Sequence, residues 1–544
     1  MRLPALLTVI LAAAPALAQP TLILHNARVF TADADVAWAE AVAVTGERIT
    51  AVGSSEAILA LAADGTHTID AGGRLVIPGL NDAHVHSGPW PDVVPLALGA
   101  GPMPDPTLAE VTAAIAAASE GAPAGAILNG SVGPTILDDP EATRLALDAV
   151  ASGRPVILWG WTGHGVLFNT AAFELVGIPL DAVDPPGGAY GRADGVLTGR
   201  LDEYAGVAVS RLLAEREGPE AAAASYRQLS ERAAQYGMTS LQLMATQAAL
   251  PGALAALRDS GTRVRWDLYH WPMPQADVAE GWAEQPIVDT GIPRVSVAGV
   301  KWMLDGTPVE RGALMRRPYD DRAGWTGFLN FPPSDVRRML EAALERDEQP
   351  AFHVAGDSSM ALLLRTMLDL APAEQWRALR VRLEHGDGLA PDLIPLAADL
   401  GVVLVQNPLH LTLPEIMAAR LGDRASGYQL LRTPLEAGVP VALGADAGGQ
   451  GFNPYLNMML AVVHPMHPSE GLSPDQALVA YTRGGAFARR AEDERGTLRA
   501  GMLADLAMLS QNLFEVPPNE WPATESLLTI VGGDVVYEAA SLDE

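Results

Sequence analysis

The stretch Val76-Ile77-Pro78-Gly79-Leu80-Asn81-Asp82-Ala83-His84-Val85-His86 sets the architecture. Its apolar run reads as a strand that stops at Pro78-Gly79, resumes briefly, and delivers two histidines spaced i, i+2. Side chains two apart on a strand point to the same face, so the two imidazoles stand side by side as a metal ion requires. A His-x-His pair alone is weak evidence, because one ring can be surface-exposed or merely hydrogen-bonded. It gains weight from the rest of the chain, where further strand-like runs end in Lys301, His353, His385 and Asp446.

Those runs alternate with helical stretches as a (β/α)8 barrel requires. Helix-like Ala221 to Tyr236 precedes Thr239 to Leu243. Then come Arg263 to Leu268, Val295 to Leu304, Ala351 to Val354, Arg380 to Glu384, Val402 to Val405 and Val441 to Gly444. With the strand before His84 they make eight, an α/β, TIM-like barrel expected over residues 79–494. After strand one lies a long insertion, about residues 88–220. It holds helix-like Leu108 to Ser119, strand-like Pro155 to Trp159 and the turn-rich Asp184 to Gly188, and reads as a cover over the barrel mouth. Residues 19–78 and 495–544 are short strand-like runs between turn formers, which predicts one small discontinuous β-sandwich domain built from both ends.

The bulk properties agree with such a chain. Its 544 residues amount to roughly three or four domain equivalents, or to one large barrel with a smaller domain. Hydrophobic content of 49% against 19% charged residues excludes a largely disordered protein. Met1-Arg2, the apolar Leu3 to Ala14 and Ala16-Leu17-Ala18 read as a signal peptide over residues 1–18, cleaved after Ala18. The alternative is an uncleaved anchor. Cleavage predicts a periplasmic or secreted protein with no membrane attachment. With no cysteine, the fold has no disulfides and any metal must take N and O ligands. The net charge of −29 argues against nucleic acid as a partner. A small-molecule substrate is the expected partner, and a homo-oligomer is compatible with the sequence.

In such barrels functional groups sit at the C-terminal ends of strands. His84 and His86 end strand one, Lys301 nearly ends strand four, His353 ends strand five, His385 follows strand six and Asp446 follows strand eight. Four histidines and an aspartate make a complete N/O ligand set for one or two divalent ions, zinc foremost. Asp446 is also suited to take a proton from water at the metal. Each has a plainer reading alone: His353 or His385 as a satisfied core histidine, Asp446 as a helix cap.

Together these motifs resemble the amidohydrolase superfamily, in the branch of N-substituted formamide deformylase-like hydrolases. The similarity rests on Pro78 to His86, Gly163-His164 with Asn169, Asp194-Gly195 through Gly199 to Glu203, Val300-Lys301 to Asp305-Gly306, His353 to Asp357, Glu384-His385, Gly444-Ala445-Asp446, Gly501 to Leu506 and Val531 to Gly533. It implies that His84, His86 and Asp446 bind one metal and that His353 and His385 bind the second. Lys301 then bridges the two as an N-carboxylated lysine; otherwise it pairs with Asp305 or Glu310 and only one metal is held tightly. His164, among tryptophans, completes the pocket as a catalytic hydrogen-bond partner of the scissile carbonyl, or packs within the insertion. Trp90, Trp161 and Trp302 flank motif residues and suggest an apolar or aromatic substrate group, core packing being the commoner use of Trp.

The implied activity is exported, metal-dependent hydrolysis of a non-peptide C–N (amide) bond, with a metal-activated hydroxide and Asp446 as general base. The alternative is a cyclic amide, lactone or ester hydrolase on the same site, or a deaminase. Deaminases of the superfamily use one metal and a catalytic Glu after strand five, where this chain has Gly356-Asp357. An exported binding protein that has lost catalysis fits poorly with an intact Asp446.

Overall fold

The computed structural model describes residues 19–99, 101, 103–273, 289–447 and 450–540. The predicted signal segment, 1–18, lies outside them. The eight central strands are β1 (Leu80–Val85), β2 (Met238–Ala245), β3 (Arg265–His270), β4 (Val295–Met303), β5 (Gln349–His353), β6 (Arg382–Glu384), β7 (Val403–Gln406) and β8 (Val441–Leu443). They pair in parallel, in chain order, from β1 to β8. The ends of the sheet meet: the Asp446 amide donates to the His84 carbonyl at 2.8 Å, and the Ala445 amide to the Asp82 carboxylate. The result is a TIM barrel, and its strands are buried along most of their length, with Val, Leu, Ala and Met among their apolar residues, as a parallel sheet covered on both faces requires.

Pro78-Gly79 divides the opening motif between two units. Leu75–Pro78 pairs with Leu506–Leu509 in a six-stranded sheet, whereas Leu80–Val85 belongs to the barrel. That six-stranded sheet also contains Arg28–Phe30, Trp38–Ala39, Ser526–Val531 and Asp534–Glu538, so residues from both ends of the chain form it. A four-stranded sheet of Arg48–Gly53, Ala41–Thr45, Leu22–His25 and His67–Asp70 packs against it through Leu22, Val44, Ile49, Met508 and Ile530. Arg265 on β3 grips Asp505 with two bonds of 2.7 and 2.9 Å, fastening this unit to the barrel.

The segment after β1 builds a six-stranded mixed sheet between Val93 and Glu203. Helix α1 (Tyr204–Gln235) comes directly after it, broken at Gly218-Pro219, where Gly218 has φ +80° and Pro219 cannot donate into a helix. The inserted sheet thus closes at Glu203, earlier than the boundary near 220 read from the sequence, and the helix expected from Ala221 begins one segment sooner. Asp138 of the insertion pairs with Arg311, and Thr162 hydrogen-bonds Glu310. These bonds fix the insertion to the loop after β4. Among the described residues no helix is long and apolar enough to cross a membrane.

Candidate metal centre

Parallel strands leave backbone groups unpaired at their C-terminal ends, and here those ends converge side chains from five strands. His84 Nε2 lies 3.2 Å from His86 Nε2 and 3.2 Å from Asp446 Oδ1, and His86 Nε2 lies 3.1 Å from the same oxygen. Ligands about 2 Å from a common tetrahedral ion stand a little over 3 Å apart, so these edges fit a divalent metal. His385 joins His84 and Asp446 in a group whose ligand atoms all lie within 4.8 Å. The His353 ring stands 4.6 Å from that of His385, centroid to centroid. The strain of building the site is visible in its backbone: His385 and Asp446 hold φ of +64° and +52°, conformations that non-glycine residues keep where the surroundings impose them.

A second layer orients these rings. Glu384 accepts from His84 Nδ1 at 2.5 Å and is held by Arg382 at 2.6 Å, all three side chains buried. A histidine backed by a carboxylate in this way presents Nε2 to a metal. Burial works against ionising Glu384, but the charge of Arg382 and its pairing with His84 hold its carboxyl at about 2. Asn407 Oδ1 fixes His385 Nδ1 at 2.7 Å, and Thr246 Oγ1 lies 3.2 Å from His86 Nδ1. Burial opposes the charge of Asp446 too, yet His84 and a hydrogen bond from His410 keep it well below the usual carboxylate range. Burial pushes His353 and His385 the other way, well below ordinary imidazole values, so both stay neutral, the form a metal needs.

Lys301, buried on β4, pairs with neither Asp305 nor Glu310. Asp305 accepts from the amides of Leu314, Ala355 and Gly356, and Glu310 from Thr162 and Thr307. The Lys301 ammonium instead lies 5.5 Å from the Trp271 ring centroid. Burial lowers it to about 8, against the pull of Glu384 and Asp446.

His164 is carried to the barrel mouth by the insertion, its ring 4.5 Å from that of His353. Glu203, at the junction with α1 and at φ +56°, accepts from His164 Nδ1 at 3.0 Å and from Asn330 at 3.2 Å. Asn169, adjacent in the motif, serves the backbone instead: its side chain caps helix Thr170–Val176 and accepts from the Val156 amide. A cavity of about 1000 Å³ opens from His86, Lys301, His353, His385 and Asp446 toward Trp90, Trp159 and Trp161. Trp302, expected beside them, is fully buried against Phe331 in the barrel core.

His410, in the loop after β7, was not among the residues expected from the sequence. Its Nε2 lies 3.3 Å from Asp446 Oδ2, and its ring stacks on His385 at 5.1 Å. Burial penalises its charge, but hydrogen bonds and charges from Asp387 and Asp446 raise it to about 10. The signal was present as a histidine just past strand seven. Glu203 closes a motif quoted from the sequence, but its role was hidden there, because its partner lies 39 residues away.

The barrel thus carries a cluster of N and O ligand-type groups at its C-terminal mouth, a site suited to a divalent metal. The amidohydrolase family is matched over residues 67–537, and the chain belongs to that family. It is accordingly an enzyme hydrolysing carbon–nitrogen bonds. Protein LONG AFTER FAR-RED 3 of Arabidopsis thaliana is 28% identical over 95% of this chain and 91% of its own length. N-substituted formamide deformylase of Arthrobacter pascens is 27% identical over 95% and 98%. An uncharacterized metal-dependent hydrolase from Pyrococcus horikoshii OT3 superposes with a TM-score of 0.70 at 19% identity, covering 92% of this chain and 99% of that one, which establishes the shared fold.

Proposed function

We propose that the protein is an exported hydrolase that cleaves a small, non-peptide amide at a divalent-metal centre. The observation that carries this reading is the triangle of His84 Nε2, His86 Nε2 and Asp446 Oδ1, with edges of 3.1–3.2 Å. His84, His86 and Asp446 would hold one ion and His353 and His385 a second, with Lys301, carboxylated, bridging them. Its lowered basicity favours the neutral amine that carboxylation needs. Zinc suits the all-N/O set. When bound, the metal supplies Lewis acidity toward water and the substrate carbonyl.

The chain's own groups do the rest. Asp446 accepts the proton of the attacking water and returns it to the departing amine nitrogen. His164, turned by Glu203, hydrogen-bonds the carbonyl oxygen. Trp90, Trp159 and Trp161 receive the apolar part of the substrate and keep bulk water from the reacting bond.

The formamide-deformylase relative makes N-formyl amines the first compounds to test. Metal analysis of the purified protein should find one or two divalent ions per chain. Zinc-reconstituted enzyme should then turn over N-formyl or N-acyl amines in preference to lactones and aminopurines. A parental protein that holds no metal, and gains no hydrolase activity on reconstitution, would sink the proposal. Export is tested separately by the mass of the protein secreted from a bacterial host, which should begin at Gln19.

A further inference from the structure

We infer that Arg211, outside the ligand set, is a positioning residue that sets the metal centre from the side of the insertion. The inference rests on the metal-site reading proposed for His84, His86 and Asp446. Arg211 lies on α1, the helix continuous with the inserted sheet, and is buried. Its guanidinium donates to three carbonyls: Nε to Thr246 at 3.1 Å, and Nη2 to Ala245 at 3.2 Å and to Trp271 at 3.1 Å. Ala245 is the last residue of β2, Thr246 comes next, and Trp271 comes directly after β3. One side chain therefore gathers carbonyl groups at the C-terminal ends of two adjacent strands.

Both strand ends touch the candidate ligands. Thr246 Oγ1 meets His86 Nδ1 at 3.2 Å, which leaves His86 Nε2 facing His84 and Asp446. The Trp271 ring stands 6.2 Å from that of His86 and lies beneath the Lys301 ammonium. Among the described residues Arg211 makes no ion pair, and its guanidinium is held by those three carbonyls. A desolvated guanidinium without a carboxylate is costly, and a fork of donors that spans several acceptors is what arginine offers and lysine does not. The geometry thus ties the orientation of the inserted segment to that of His86 and to the floor beneath Lys301.

The test uses the full-length protein loaded with cobalt(II), whose visible spectrum reports coordination geometry, and metal affinity by chelator competition. Parental protein is measured first; if it takes up no metal, the proposed function fails and Arg211 is not yet in question. Given a loaded parent, Arg211→Met should weaken metal binding about tenfold or more and alter the cobalt spectrum, the scale on which outer partners of metal ligands act. Thr246→Val should do likewise. The double variant should fall well short of the product of the two effects, because both act through His86. Arg211→Lys, which keeps the charge and the fold's demand for a long side chain, should not restore the parental spectrum. Parental affinity and spectrum in Arg211→Met, or in Arg211→Lys should the Met variant not fold, would overturn the inference. So would strictly multiplicative effects in the double variant.

Discussion

Asp446 divides its carboxylate between two roles, with Oδ1 facing the histidine pair and Oδ2 facing His410. Asp446→Asn keeps the size and one oxygen while removing the proton acceptor. Turnover on the identified amide should fall roughly 10²-fold or more, with part of the metal retained; near-parental kcat would remove the general-base role. Lys301 is the second residue whose chemistry is decisive. A carboxylated lysine is an anionic two-oxygen ligand, whereas the ammonium has no lone pair to give. Lys301→Ala should therefore lose about half of the bound metal and most activity, and short-chain carboxylates in solution should partly restore both. Full metal content and activity in that variant would leave a one-metal hydrolase as the better description.

At the scale of elements, the seam between β1 and β8 fixes the spacing of His84 and Asp446. Gly444 is the tightest point of that seam: a Cβ there would sit 2.4 Å from the His84 amide nitrogen and 2.8 Å from its Cβ. The backbone of β1 cannot yield without moving His84 itself. Gly444→Ala should cost about 1–3 kcal/mol in denaturant unfolding and should weaken metal binding at the same time. A variant destabilised by that amount but with parental metal affinity would show that the seam does not govern the ligand spacing. The inserted sheet does a different job. Its bonds to the loop after β4 make it a fixed wall, which presents His164 and the tryptophans to the cavity.

Across the whole molecule, charge buried outside the ligand cluster helps to hold the barrel together. Asp267 on β3 is paired with Arg489 at 2.8 Å and with Arg495, and accepts from Ser296. Burial alone would raise its pKa, but the two arginines outweigh that and bring it to about 2. A folded value below the unfolded value of roughly 3.9 means the group stabilises the protein above about pH 4, and that this contribution is lost as pH falls toward 2. Asp267→Asn should lower unfolding stability at neutral pH by about 3 kcal/mol and flatten the acid limb of the stability profile between pH 4 and 2. An unchanged acid limb would assign the acid sensitivity to other carboxylates.

How much of this was legible in the sequence depends on the range of each interaction. The eight barrel strands and the residues at their ends could be read because strand formation and the position of a residue at a strand's end are local properties. Runs such as Val402 to Val405 and Val441 to Gly444 carry their own apolar pattern, and His84, His353, His385 and Asp446 stand beside them. Lys301 was legible as a strand-end lysine, but the identity of its neighbour, Trp271 and not Asp305 or Glu310, was not. His410, Glu203 and Arg211 gain their meaning from partners tens of residues away, and Trp90 and Trp302 are alike in sequence although one lines the cavity and the other fills the core. The sequence by itself determined which chemistry the barrel mouth can hold. Only the tertiary structure decided which side chains share that mouth, because closing β1 against β8 and laying the insertion across the top join residues that no local pattern connects.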